Sequence, residues 1–96
     1  MLVVRTGVEF GQLLDKPPLI VIEILSPDDR LSDLHVKIGE YLAFRTEHVW
    51  IFDPEHRSAW WADGNGLHLV TTDELTVDGT PIRVVLGEVW AELDRA

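Results

Sequence analysis

A glutamate lies in the middle of the most apolar run of this chain. Residues 19–25 read LIVIEIL, and such a run of aliphatic residues is typical of a strand buried on both faces of a sheet. Glu23 interrupts the run. An unpaired charge is costly to bury, so a buried carboxylate is paired, neutralised or bound to a metal ion. The fold must therefore give Glu23 a partner, and the nature of that partner bears on function.

The residues after this strand predict a turn followed by a helix. Residues 26–29, SPDD, combine turn-forming and helix-starting side chains. From Leu31 to Phe44, apolar residues recur at spacings of three and four, which predicts an amphipathic helix. Asp33 and Lys37 are four residues apart and so lie on one surface of that helix. Since the helix folds back along the strand, we expect Lys37 to approach Glu23.

Several interpretations of these polar residues remain open at this point. Glu23 is either a structural partner of Lys37 or Arg5, in a buried ion pair, or a ligand in a hydrolytic metal site. Asp33 is either half of an ordinary helix-surface pair, a helix cap, or a supporting residue beside that site. Tyr41 is assigned to the core.

Other polar and aromatic residues receive structural assignments. Asp53, which precedes Pro54, is assigned to a turn at the end of a strand. The four histidines show no metal-ligand spacing, and none is given a role. Trp60 and Trp61 are adjacent in a predicted strand, so they should point to opposite faces of the sheet.

The remaining sequence predicts short strands and a second helix. An α+β fold with an α/β-type core is expected: a mixed sheet, one main amphipathic helix and a short C-terminal helix, in a single domain of residues 1–96. The triplet at residues 64–66, GNG, is a strong tight-turn signal. The predicted strands are residues 2–5, 19–25, 48–53, 58–63, 67–71 and 82–86, with the closing helix at 88–94 and a mixed connection at 7–16.

Composition narrows the function classes. The chain has no cysteine, which excludes disulfides, thiolate metal sites and a cysteine nucleophile, and a reducing cytoplasm is its natural setting. No apolar run reaches the length of about 20 residues that a membrane span needs, so no membrane partner is expected. The net charge of −9, with only eight Lys and Arg residues, argues against strong DNA binding. Clustered carboxylates, however, attract divalent cations.

Three blocks of this sequence resemble a known family. They read PPLIVIEILSPDDR, DLHVKIGEYL and HVWIFDP. This pattern resembles the Uma-type family of bacterial restriction endonucleases, within the PD-(D/E)xK nuclease superfamily. The resemblance extends from about Pro17 to the end of the chain. It implies a restriction-endonuclease-like fold and hydrolysis of phosphodiester bonds in DNA.

The resemblance also implies a set of site residues. Mg²⁺, or Mn²⁺, would be held by the Glu23 carboxylate and the backbone carbonyl of Ile24. Lys37 would be the catalytic lysine, and Asp33 would belong to the same catalytic group. In many relatives the lysine lies two residues after the acid, but that position here is Leu25. Lys37 would therefore have to reach the site from the helix.

One departure from the family pattern affects the expected activity. The superfamily carries an aspartate, in a Pro-Asp pair, on the strand before the glutamate strand. Here that strand would be residues 2–5, with no Pro-Asp ahead of it. The resemblance thus implies a fold truncated at its N-terminal part, with weak or no cleavage. The alternative is a non-catalytic remnant that dimerises or binds a partner, and an exposed sheet edge predicts a homodimer.

Overall fold

The computed structural model describes residues 2–4 and 19–95. Within them, five strands form the main sheet, two form a smaller sheet, and two helices are present. This is the α+β arrangement predicted from the sequence. The predicted connection at residues 7–16 and the candidate partner Arg5 lie outside the described residues. In chain order the elements are β1 (Leu2–Val4), β2 (Ile20–Ile24), α1 (Leu31–Ala43), β3 (His48–Asp53), β4 (Ser58–Asp63), β5 (Gly66–Leu69), β6 (Glu74–Thr76), β7 (Arg83–Val85) and α2 (Leu86–Arg95).

The main sheet has the strand order β1-β2-β3-β4-β5. β2 and β3 are parallel, and every other neighbouring pair is antiparallel. A parallel pair requires a crossover connection, which here contains α1. The carboxyl ends of β2 and β3 consequently meet at one edge of the sheet. The turns that follow the two strands, at residues 26–29 and 54–57, lie at that edge.

Both faces of the sheet are covered, which explains the apolar character of β2 and β3. On one face, α1 packs through Leu34 and Ile38 onto Val49, Ile51 and Ala62. On the other face, the smaller sheet and α2 pack onto the central strands. This second cluster of buried residues contains Ile20, Ile22, Trp50, Phe52, Ala59, Leu75, Val77 and Leu86.

Most predicted element boundaries agree with the structure to within two residues. The meander of β3, β4 and β5 is the predicted one, with β3 and β4 at the predicted residues. The predicted helix after the SPDD segment begins at Leu31, as expected. Asp29 closes the preceding turn by accepting the Ser26 N–H at 2.8 Å, while the N-cap residue Arg30 provides no side-chain cap.

The C-terminal third differs from the prediction. β7, which matches the predicted strand at residues 82–86, lies outside the main sheet and pairs with β6 in a separate two-stranded sheet. β6 was not predicted because its three residues are too few to show an alternating pattern. The turn between them contains Gly79 at a φ of 76°, a left-handed conformation that glycine adopts easily. No helix in the described part of the chain is long and apolar enough to cross a membrane.

Candidate metal centre and active site

Glu23 lies on β2, one residue before the strand ends, and faces α1. It is only 6% exposed, and its two carboxylate oxygens have different partners. The Tyr41 hydroxyl donates a hydrogen bond to Oε1. The Lys37 Nζ lies 3.9 Å from Oε2. The predicted approach of Glu23 and Lys37 across the strand–helix junction is therefore confirmed.

The periodicity of α1 explains why one helix delivers both partners. Lys37 and Tyr41 are four residues apart, so they lie one turn apart on the same surface. Leu34 and Ile38 are buried beside them and anchor this side of the helix to the sheet. The Lys37 side chain remains 53% exposed, so its ammonium group can reach both Glu23 and the solvent. The site is thus built by one strand and one helix.

Tyr41 is the site residue that the sequence assignment missed. It was assigned to the core, and its half-buried ring does pack against that cluster, but its hydroxyl is bound to Glu23. Burial raises the pKa of Tyr41 above its usual value, and the hydrogen bond to Glu23 and the charges of Glu23 and Glu40 raise it further. The phenol is therefore a neutral donor at physiological pH. Its spacing of four residues from Lys37 was the available signal.

The remaining predicted side chain, Asp33, lines the same small cavity. This cavity, about 20 Å³, is bounded by Glu23, Asp33 and Lys37 together with Asp29, Arg30, Leu25 and Leu34. Its volume suits one water molecule or one small cation. Between residues 19 and 95, no ion pair joins Asp33 to Lys37, although their spacing would allow one. Lys37 is paired with Glu23 instead.

Ile24, the second predicted metal ligand, is the last residue of β2. Its side chain points to the opposite face from Glu23, so only its backbone oxygen is available to this site. The Leu25 N–H donates to the Phe52 carbonyl at 2.8 Å. Backbone groups alternate in direction along a strand, so the Ile24 carbonyl points away from β3. On the side of β2 away from β3, the pairing with β1 extends only as far as Ile22, two residues before Ile24.

The oxygen donors around this cavity fit a hard divalent cation. The carboxylates of Glu23, Asp29 and Asp33 line the cavity and are oxygen ligands. Ile24 does not line it, but its carbonyl oxygen follows Glu23 directly in β2. Mg²⁺ and Mn²⁺ prefer such ligands, and Mg²⁺ retains several waters in its coordination shell. The residues present are therefore compatible with the predicted cofactor.

A second acidic group follows β3 at the same edge of the sheet. Ligand atoms of Asp53, Glu55 and His56 lie within 4.8 Å of one another. Asp53 accepts the backbone N–H groups of Glu55 and His56 and pairs with His56 Nδ1 at 2.8 Å. Slight burial opposes the change, but these hydrogen bonds lower the pKa of Asp53, and the same pair raises the pKa of His56. The contacts agree with the turn assignment of Asp53.

The two acidic groups border one depression. A cavity of about 220 Å³ lies between the turns after β2 and β3, and its walls include Asp29, Arg30, Asp53 and Glu55. Asp29 and Arg30 also line the small cavity beside Glu23. The carboxyl edge of the parallel pair is therefore concave and acidic, with Arg30 and Lys37 as cations on its rim.

A larger cavity lies elsewhere. It has a volume of about 560 Å³ and is lined by the start of β3, by Trp61 and Asp63, and by β6. Trp61 faces it and stacks on His68, whereas Trp60 packs on the α1 side, so the two point to opposite faces as predicted. Among the described residues that line it there is no lysine or arginine. Its size alone does not make it the site, because it lacks the pairing of a carboxylate with a lysine.

The fold defines the class of protein. A mixed sheet with α1 packed behind a buried strand carboxylate is a restriction-endonuclease-like nuclease fold. The chain belongs to the Uma2 family, whose description is "Putative restriction endonuclease" and whose sequence profile matches residues 3–91. The predicted family is thereby confirmed.

A solved structure supports the fold. The chain is similar to the crystal structure described as "a putative nuclease belonging to DUF820 from Anabaena variabilis ATCC 29413", with 19% sequence identity and a TM-score of 0.65. The match covers 81% of this chain and 46% of that chain, so this chain spans less than half the length of the solved protein. No curated protein matches the sequence. The roles of Glu23, Ile24, Asp33 and Lys37 stay predictions.

Proposed function

We propose that this chain carries the site of a metal-dependent nuclease that hydrolyses phosphodiester bonds in DNA. The observation that carries the proposal is the distance of 3.9 Å between Lys37 Nζ and the buried Glu23 carboxylate, beside a cavity that Asp33 also lines. Membership of the Uma2 family supports the reaction class. A buried strand carboxylate that shares a cavity with a lysine is the arrangement this chemistry needs.

The Glu23 carboxylate and the Ile24 carbonyl would hold the Mg²⁺ or Mn²⁺ ion. When bound there, the ion supplies Lewis acidity for the phosphoryl group and lowers the pKa of a bound water. Within residues 19–95, Glu23 is the only buried carboxylate. A hard cation held by few protein carboxylates depends on substrate phosphates for further ligands. We therefore expect weak ion binding without DNA.

Lys37 and Asp33 would act on the water and the phosphate. The Lys37 ammonium would stabilise the negative charge that develops on the phosphoryl oxygens, or orient the attacking water. Asp33 would accept a hydrogen bond from that water. The water oxygen forms a bond to phosphorus and releases a proton to solvent, while one P–O ester bond breaks and the leaving oxygen takes a proton from solvent. The products are a phosphomonoester and a free hydroxyl. This assignment gives each predicted side chain a separate task.

The charge of the chain sets the conditions under which DNA should bind. A net charge of −9 repels a phosphate backbone, and Arg30 and Lys37 are the cations that line the small cavity. Fields from exposed charges are screened within about 8–10 Å at physiological salt, so these two cations can act locally. We expect weak DNA affinity that decreases as salt increases.

The test is a cleavage assay with the 96-residue chain on supercoiled and single-stranded DNA, with Mn²⁺ at low salt. We expect slow cleavage that Glu23→Gln and Lys37→Met abolish. Glu88→Gln is the matched control, because it removes the same charge from an exposed position on α2. Cleavage that persists in Glu23→Gln would show that the site is elsewhere or that the activity is a contaminant. No Mn²⁺-dependent binding or cleavage at all would refute the proposal.

The competing function is a non-catalytic module that pairs with a second copy of the chain. β5 is an outer strand of the described sheet, and its Leu69 is 57% exposed. Such an edge can pair with another strand. By contrast, the exposed Leu31 and Val36 on α1 are five residues apart and so point in different directions, which gives no continuous apolar patch.

Light scattering distinguishes a monomer from a homodimer. A homodimer formed through β5 should dissociate when Leu69 is changed to Lys, while the nuclease site should be unaffected. Leu31→Lys is the matched control, since Leu31 is 65% exposed, slightly more than Leu69, but lies on α1. A monomer at near-millimolar concentration would refute the dimer. A dimer that is inert toward both DNA and metal would favour the binding module.

A further inference from the structure

We propose that Tyr41 restricts Glu23 to a single metal-binding oxygen and thereby favours Mg²⁺ or Mn²⁺ over Ca²⁺. The inference rests on the proposed function, because it concerns the cation that Glu23 would hold. It assigns to Tyr41 a positioning role that determines which cation binds.

The two oxygens of Glu23 are divided between two partners. Oε1 accepts the hydrogen bond from the Tyr41 hydroxyl, and Oε2 faces Lys37 at 3.9 Å. That second distance is too long for a hydrogen bond, so Oε2 is the oxygen with room for a ligand. The Glu23 side chain is buried beneath α1, which limits rotation of its carboxylate. The division of the two oxygens is therefore built into the fold.

The Tyr41 phenol is well placed to keep Oε1 occupied. Its ring is half-buried and packs with the cluster around Leu34 and Ile38, on a helix anchored to the sheet. A hydrogen bond from a neutral donor to a carboxylate is stronger than one between two neutral groups.

The Tyr41–Glu23 hydrogen bond affects which cation binds, because cations differ in the number of oxygen ligands that they take. Ca²⁺ takes six to eight oxygen ligands and often binds a carboxylate through both oxygens, whereas Mg²⁺ requires an octahedral shell and retains waters. A carboxylate with one free oxygen suits the second pattern. Removal of the Tyr41 hydroxyl would free Oε1 and permit binding through both oxygens. The variant Tyr41→Phe should then gain relative affinity for Ca²⁺.

The experiment measures binding directly and needs no cleavage. Free Mn²⁺ is followed by electron paramagnetic resonance, and Ca²⁺ affinity is obtained by competition against Mn²⁺. We expect the ratio of Kd for Ca²⁺ to Kd for Mn²⁺ to fall roughly tenfold in Tyr41→Phe, which corresponds to about 1.4 kcal/mol. Thr46→Val is the matched control, because it removes another buried hydroxyl near the end of α1 that has no hydrogen-bond partner within the described residues. Its ratio should equal that of the unmodified chain.

A spectroscopic measurement on the unmodified chain covers the case in which Tyr41→Phe fails to fold. Tyr41 is the only tyrosine of the chain, so the ultraviolet resonance Raman bands of tyrosine report on this one residue. After saturation with Mg²⁺ these bands should still be those of a phenol that donates a hydrogen bond. A shift to the bands of a phenol that donates none would overturn the inference, because it would mean that Oε1 had been taken from the phenol.

The outcomes separate this inference from the proposed function. If Mn²⁺ binding requires Glu23 but the Ca²⁺ to Mn²⁺ ratio is the same in Tyr41→Phe, the inference is wrong and the metal site stands. If the unmodified chain shows no Mn²⁺ binding that Glu23→Gln removes, the metal site itself is wrong. A tenfold change in Tyr41→Phe, with none in Thr46→Val, would support both.

Discussion

The ionisation of Tyr41 provides a direct test of the buried Glu23–Tyr41 contact. The phenol donates to a carboxylate, so loss of its proton would both remove a hydrogen bond and place two anions side by side. A hydrogen bond to a charged group contributes about 1.5–3 kcal/mol, and one pKa unit corresponds to about 1.4 kcal/mol. Replacement of Glu23 by Gln should thus lower the pKa of Tyr41 by roughly one to two pH units. Burial, which remains, should keep that pKa above its usual value.

The assay is the absorbance of tyrosinate at about 295 nm, and the chain has one tyrosine to report it. A free phenol with a pKa of about 10 is roughly nine-tenths ionised at pH 11. In the folded chain at pH 11, Tyr41 should remain mostly protonated, and in urea it should titrate as a free phenol. Tryptophan fluorescence at the same pH checks that the chain is folded. Glu40→Gln is the control, since Glu40 makes the smallest contribution to the raised pKa.

The pH dependence of stability follows from the same contact. The pKa of Tyr41 is raised in the folded state, so the stabilisation is fully present below about pH 10 and is lost as the pH rises through the folded-state value. The chain should therefore lose stability in strong base, and Glu23→Gln should lose less. Titration of Tyr41 near pH 10 in the folded chain, unchanged by Glu23→Gln, would refute this account of the site.

Three further predictions concern the core, the pair beside the site and the lysine. Ile51→Ala, at a fully buried position of β3, should cost about 2–5 kcal/mol in urea unfolding, whereas the exposed Val36→Ala should change stability by about 0.5 kcal/mol or less; equal effects would contradict the described packing. By NMR, the pKa of the His56 imidazole should lie above 6.5, and in Asp53→Asn it should return toward that value. Because the folded-state pKa is raised, the His56–Asp53 pair stabilises the fold below about pH 6.5, and this contribution is lost as the pH rises through the folded-state pKa. Lys37→Met should cost at most about 1 kcal/mol, since the side chain is half-exposed, so a larger loss would mean that the ion pair is chiefly structural.

The sequence predicted the β2–α1–β3 unit well because its signals are local. The apolar run around Glu23 is unambiguous, and the three- and four-residue spacing from Leu31 onwards defines one helix face. Proximity of Glu23 and Lys37 followed from connectivity, since a helix directly after a strand must pack back on it. These inferences needed no knowledge of distant contacts.

Features that leave no periodic signal in the sequence were not predictable in the same way. Tyr41 has the pattern of a core residue, and only the depth of Glu23 beneath α1 reveals that its hydroxyl has a polar partner. The pairing of β7 with β6 depends on the turn at residues 77–80 and on the contact between Arg83 and Glu74. A strand of three residues has no periodicity to detect.

The order of β2 and α1 along the chain has a consequence for how the site is assembled. Glu23, Lys37 and Tyr41 all belong to one strand and the helix that directly follows it. The Tyr41–Glu23 contact spans 18 residues, so the loop that it closes is of moderate length and does not involve the rest of the chain. The site geometry therefore depends mainly on the angle at which α1 leaves the SPDD turn. An insertion in the β4–β5 hairpin would leave that angle intact, whereas one residue added within α1 between Leu34 and Lys37 would rotate Lys37 and Tyr41 by about 100° relative to the buried Leu34.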